Sequence, residues 1–180
     1  MHDPGSSPAW YVLHTRSRFE VKVHDGLLKK SETVFLPKIL TQSRRRDRKQ
    51  MIRIPLFPGY LFVHTDLSPE RRLDILKTVG VVRFIGNSAG PVPVAESTIA
   101  SLKIMVEADQ GIQTGRRMKK GQPVVVVQGP FTGVTGHFLS YRGGHRVVVH
   151  IEALGQYAAV EVDAADIEPA PHLVSRPRKT

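Results

Sequence analysis

The sequence predicts an α+β fold in which an antiparallel sheet flanked by helices is followed by a small all-β barrel. Three observations carry this. Up to about residue 108, apolar residues recur alternately at strand and at helix spacing. A stretch with two glycines and no periodicity follows, Asp109 to Arg117. Beyond it only short strands recur, separated by glycine turns.

In chain order, Met1 to Pro8 is polar, carries no apolar targeting core and reads as a flexible leader. Trp10–Thr15 reads as a first strand. Ser17 and Glu20 have capping-box spacing, and Phe19, Val23, Leu27 and Leu28 then form the apolar stripe of a helix reaching about Lys30. Thr33–Leu40 reads as a strand, Ser43–Lys49 as a basic hairpin tip, and Met51–Ile54 as the return. Leu56-Phe57-Pro58-Gly59-Tyr60-Leu61-Phe62-Val63 puts a Pro-Gly turn before a strand that is apolar on both faces. Such a strand is either central in a core or exposes an aromatic patch to a partner.

Ser68-Pro69 opens a short helix through Leu73, Ile75 and Leu76, which Gly80 closes. Val81–Ile85 is a strand, and Ile99, Leu102, Met105 and Val106 recur at helical spacing. The barrel strands are Pro123–Gln128, Gly136–Tyr141, Arg146–Ile151, Ala158–Val162 and a short one near Ile167. The organisation expected is a leader over 1–8, a first domain over 9–108, a linker over 109–118, a barrel over 119–169 and a basic tail over 170–180.

The chain has 180 residues, 41% of them hydrophobic, which is enough for folded domains. Its net charge of +10 is concentrated: Thr15–Arg53 holds 12 bases against 4 acids. A one-sided basic field of this kind attracts polyanions, nucleic acid above all. Residues 119–168 carry 4 bases against 5 acids. No cysteine is present, which removes disulfides, thiolate metal sites and a cysteine nucleophile. No apolar run approaches the ~18 residues of a membrane span.

Catalytic signatures are weak. Gly129–Gly136 is glycine-rich but lacks the Lys-Ser/Thr ending of a phosphate loop. His137, His145 and His150 lack tight ligand spacing, and no nucleophile elbow is present. Arg44-Arg45-Arg46 fits a nucleic-acid contact and a solvated tip equally. No enzyme, metal or cofactor is expected.

Trp10-Tyr11-Val12-Leu13, Arg18-Phe19-Glu20, Phe57-Pro58-Gly59-Tyr60-Leu61-Phe62-Val63 and Gly80–Gly86 resemble the amino-terminal (NGN) domain of the NusG family. Lys120-Gly121-Gln122-Pro123-Val124 with Val127–Gly133 resembles the KOW motif that opens the family's SH3-like carboxy-terminal barrel. The resemblance spans about Ala9 to Pro169, and Tyr60–Val63 with the hairpin length is similar to specialised RfaH-like paralogues.

The resemblance implies a cytoplasmic, bacterial and monomeric transcription elongation or antitermination factor that docks on the β′ clamp helices of RNA polymerase and suppresses pausing. The docking patch would comprise His14, Phe57, Tyr60 and Phe62. Arg16, Lys22, Lys29, Lys30, Lys77 and Thr78 match the face that touches non-template DNA. At the place of a His-Thr-Thr contact to the polymerase β subunit, the second jaw, stand Arg71-Arg72-Leu73, so that bridge is absent or ionic. Leu154 occupies the barrel position that recruits a small-subunit ribosomal protein or Rho, with Tyr157 beside it. The rival reading is a KOW-containing RNA- or ribosome-binding protein that does not act on polymerase.

Some relatives refold this barrel as a helical hairpin. Here the β-branched runs Val124–Val127 and Val147–Val149, with Gly143-Gly144, disfavour helix. Residues 118–170 in isolation should give a β-type far-UV circular dichroism spectrum; a helical one would refute the expectation.

Overall fold

The computed structural model describes residues 7–43, 50–116, 121–141 and 143–170. The predicted basic tip, Arg44 to Lys49, lies outside them, as do most of the leader and the tail. The chain forms two compact units that divide between Glu96 and Ser97.

The first unit contains β1 (Ala9–Thr15), α1 (Glu20–Leu28), β2 (Thr33–Phe35), β3 (Lys38–Gln42), β4 (Met51–Pro55), β5 (Tyr60–Thr65), α2 (Pro69–Leu76), β6 (Val81–Phe84), β7 (Gly86–Asn87), β8 (Gly90–Pro91) and β9 (Pro93–Val94). Its sheet runs β2-β5-β1-β6, antiparallel throughout, with β9 also paired to β1. The apolar strand of the Pro-Gly segment is therefore central, hydrogen-bonded on both edges. One sheet face, carrying Tyr11, Leu13, Leu61 and Val63, packs against Val23 and Leu27 of α1 and Ile75 of α2. Each of these helices buries one stripe there, as their apolar spacing requires.

Two local readings are revised. The strand expected over Thr33–Leu40 is two strands. Pro37 has no N–H for a ladder, and the chain leaves the main sheet at Leu36-Pro37 to form a separate β3–β4 hairpin. The capping box is also replaced: Arg18 takes φ +64°, Phe19 stands at the N-cap, and α1 begins at Glu20 itself. Ser68 does flank α2, with Pro69 in its first turn, but its side chain makes no cap bond.

Gly80 joins the helices to the sheet. Its φ is +101°, and a Cβ there would lie 2.6 Å from Phe19 Cδ1 and 2.9 Å from Val23 Cγ2. Its carbonyl accepts the Arg16 N–H at 2.8 Å. Both the backbone region and the space demand glycine.

The second unit takes in α3 (Glu96–Ala108) from Ser97 onward, although the sequence groups that helix with the first domain. It continues with β10 (Gln113–Arg116), β11 (Gln122–Val126), β12 (Thr135–Tyr141), β13 (Gly144–Ile151), β14 (Gln156–Glu161) and β15 (Ile167–Pro169). These six form one antiparallel sheet in the order β10-β14-β13-β12-β11-β15. Its core is β-branched: Val124, Val126, Val134, Val147, Val149, Ile151 and Val160 are buried. β10 lies in the stretch read as a linker, where the open edge of β14 offers backbone partners that side-chain periodicity does not reveal. Ser101 of α3 is buried and accepts the Thr135 N–H at 2.9 Å, a polar clasp between the helix and β12.

Gly80→Ala should cost about 2–4 kcal/mol, combining left-handed strain with overpacking. Gly111→Ala, at φ +63° with open space around it, should cost about 1 kcal/mol. Urea denaturation of the two variants would separate these terms.

Candidate partner-docking faces

Phe57-Pro58-Gly59-Tyr60 forms a type II turn. Pro58 presets the second position, Gly59 takes φ +84° at the third, and the Tyr60 N–H donates to the Phe57 carbonyl at 3.1 Å. The turn is held from two further directions. The Gly59 carbonyl accepts the Thr15 N–H at 2.8 Å, and the Gly59 N–H donates to Glu20 Oε1 at 2.7 Å. Glu20, 7% exposed, thus spends its carboxylate on the turn rather than on its own helix. That bond explains why an acidic residue is buried at the start of α1.

The clasp sets the register of β5 on β1, which pairs Trp10 with His64, Val12 with Phe62 and His14 with Tyr60. Alternation puts these pairs on the face opposite α1 and α2. The rings form a row: His14 stacks on Tyr60 at 5.2 Å and 29°, and Trp10 meets His64 at 5.2 Å. Phe57 meets Phe62 edge-on at 6.4 Å. Phe35 stacks on Phe62 at 6.0 Å, a member of the row that sequence reading left out. Only the β2–β5 register, which places Phe35 opposite Phe62, identifies it.

Burial divides the four residues expected to form one patch. Phe57 and Phe62 are 1% and 0% exposed, whereas His14 and Tyr60 are half-buried. Phe57 and Phe62 are the buried members of the row, and the stacked His14–Tyr60 pair is its accessible part.

The bases assigned to one face divide in the same way. Arg16, Lys22, Lys29 and Lys77 are exposed, and Lys22 Nζ lies 5.3 Å from the Phe19 ring centroid, a cation–π distance. Lys30 is committed internally: its Nζ donates to the Asp74 carbonyl at 2.6 Å and to Asp74 Oδ1 at 3.0 Å, tying α1 to α2. Thr78 is 7% exposed, and a Cβ on Gly26 would meet its methyl at 3.0 Å. Residues 77–80 therefore lie along α1, which brings Lys77 to the basic helix.

Arg71 and Arg72 are exposed on α2. Arg71 Nε lies 3.9 Å from Asp66 Oδ2. Hydrogen bonds from Ser68, backbone first, hold the Asp66 carboxyl below the usual carboxylate range, and the Arg71 charge adds to this. Leu154, half-buried, ends a short 3₁₀ turn (Glu152–Leu154) that Gly155 closes at φ +60°. Tyr157 packs over Gly115 of β10, where an added Cβ would meet its ring at 2.8 Å. Among the described residues, no group of three or more His, Cys, Asp or Glu could hold a metal ion, and no helix is long and apolar enough to cross a membrane.

The family model described as "Transcription termination factor nusG" matches residues 8–103, more than half of the chain. The chain belongs to the NusG family. It is similar to the transcription termination/antitermination protein NusG of Borreliella burgdorferi, 28% identical over 90% of this chain and 98% of that one. The protein of the same name from Thermus thermophilus is 28% identical over 88% and 96%. The solved structure described as "Domain interaction in Thermotoga maritima NusG" aligns at a TM-score of 0.52 and 22% identity, covering 91% of this chain and 97% of that one. This likeness agrees with the mixed fold and with the six-stranded sheet of its C-terminal part. The NusG match includes the whole His14–Tyr60 row and every exposed base named on α1 and beside α2.

Glu20→Ala should destabilise the protein by about 1–3 kcal/mol by orphaning the Gly59 N–H. Glu20→Gln keeps an acceptor oxygen and should cost less. Thermal unfolding of both variants checks the order.

Proposed function

We propose that this chain is a transcription elongation and antitermination factor that docks on RNA polymerase through the His14–Tyr60 edge of its aromatic row. The observation that carries the reading is the stacked, half-exposed His14–Tyr60 pair at 5.2 Å, on the sheet face where Phe62, met edge-on by Phe57, is fully buried. Interface hot spots have this form, aromatic anchors held against each other by stacking so that little side-chain entropy is lost on binding. The names of the NusG relatives supply the process, transcription, and the clamp helices of β′ are the surface this edge would meet.

Arg16, Lys22, Lys29 and Lys77 then form the face that follows exposed non-template DNA, by backbone contacts that fall off with salt. Lys30 and Thr78 support that face from within. Arg71 and Arg72 make an ionic contact to the second polymerase jaw. Leu154, with Tyr157 as its support, recruits a small-subunit ribosomal protein or Rho. Chemistry at a catalytic centre has no part in this mechanism; the protein acts by binding and by holding the polymerase clamp closed.

Pulldown of core RNA polymerase tests the docking edge. His14→Ala with Tyr60→Ala should weaken capture at least about tenfold, the loss of one strong hot spot, while circular dichroism stays that of the wild type. Phe62→Ala is the wrong probe, since emptying a core site costs about 3–5 kcal/mol of stability. Wild-type protein that captures no polymerase overturns the reading. For the DNA face, Lys29→Gln with Lys77→Gln should lower the slope of log affinity against log salt by about 1–2 on single-stranded DNA, checked by fluorescence anisotropy.

A further inference from the structure

Resting on the docking reading above, we propose that Arg83 is the third member of the docking edge. Its guanidinium takes an aspartate or glutamate carboxylate on the β′ clamp helix that covers His14 and Tyr60.

Strand pairing is the first argument. In the sheet order β2-β5-β1-β6, β6 is an edge strand. Arg83 of β6 pairs with His14 of β1, and His14 pairs with Tyr60 of β5. The β1–β6 register shifts beyond this pair, between His14 and Thr15. The neighbouring pair, Leu13 with Phe84, belongs to the core under α1 and α2. Alternation therefore turns Arg83 to the opposite face, which it shares with His14 and Tyr60. Directly paired residues have Cβ atoms about 4.5–5.5 Å apart, so the three form one rung, Arg83–His14–Tyr60.

Charge is the second. Arg83 is exposed, and its guanidinium has no hydrogen-bonding or ionic partner among the described residues. The rest of the rung is open as well. The Tyr60 hydroxyl has no partner among those residues, and His14 Nδ1 is buried without one. A planar guanidinium fork matches a carboxylate in two parallel bonds. Nucleic acid fits the rung less well. The exposed bases Lys22 and Lys29 of α1, and Lys77 beside α2, belong to helices packed on the other sheet face. His14 and Tyr60 also lie against each other at 29°, so each has one π-face already occupied and offers less to a stacking base. A helix carrying a carboxylate beside apolar side chains meets the guanidinium and covers the rings together.

The test is biolayer interferometry of the full chain on core RNA polymerase. Arg83→Glu should weaken binding at least about tenfold, and Arg83→Gln less. Arg83→Lys keeps the charge without the fork and should fall between wild type and Arg83→Gln. Thermal unfolding of all three should match the wild type. Arg83→Glu changes the net charge as much as Lys29→Gln with Lys77→Gln does. It should weaken polymerase binding more than that pair, and oligothymidine binding less. Changing each aspartate and glutamate of the clamp helices to lysine in turn should yield one variant that restores binding of Arg83→Glu. Wild-type protein that does not bind polymerase overturns the docking reading and the role of Arg83 with it. Wild-type binding that Arg83→Glu leaves unchanged overturns the role of Arg83 alone, as does rescue by none of the lysine changes. Oligothymidine binding weakened as much as by the lysine pair would overturn it in favour of a nucleic-acid contact.

Discussion

The Glu20 carboxylate on the Gly59 N–H, at 2.7 Å, is the bond on which the first unit's arrangement depends. It joins the start of α1 to the turn that launches β5, and the Thr15 N–H binds the carbonyl of the same glycine. A one-residue slip of β5 would turn Tyr60 and Phe62 toward the helices and Leu61 and Val63 away from them. The clasp opposes that slip. Both sheet faces, the apolar one under α1 and α2 and the aromatic row, follow from one register. The bond joins a buried carboxylate to a half-buried backbone donor, so its loss removes more than a surface ion pair would.

An aromatic motif divides its labour by depth. Phe57 and Phe62 contribute burial and geometry, and His14 and Tyr60 contribute surface. The basic residues divide likewise, with Lys30 bonded to Asp74 and Thr78 packed under Gly26, while Arg16, Lys22, Lys29 and Lys77 keep their charges in solvent. Residues that hold a face in place and residues that present it carry the same letters in a motif. Accessibility separates them.

This limit governs how far the sequence could be read. Element types were legible wherever periodicity was strong, as in the central strand at Tyr60, the Ile99–Met105 stripe of α3 and the valine runs of the second unit. The type II turn was legible because Pro-Gly determines the backbone. Glu20 was misread because capping-box spacing is local, whereas its partner Gly59 lies thirty-nine residues away. β10 was missed because an edge strand is recruited by the backbone of β14, and Gln113–Arg116 has no apolar alternation to announce it. Phe35 joined the aromatic row only through pairing. Each of these three misses is a contact distant in sequence, unlike the break at Pro37, which the proline itself makes.

Site-specific photocrosslinking tests the central claim most directly. A benzoylphenylalanine replacing Tyr60, incubated with core RNA polymerase, should crosslink to the clamp helices of the β′ subunit. The same group replacing Leu154, at the barrel turn, should not. Crosslinks from position 154 alone, or from neither position in a complex that otherwise forms, would contradict docking through the aromatic edge.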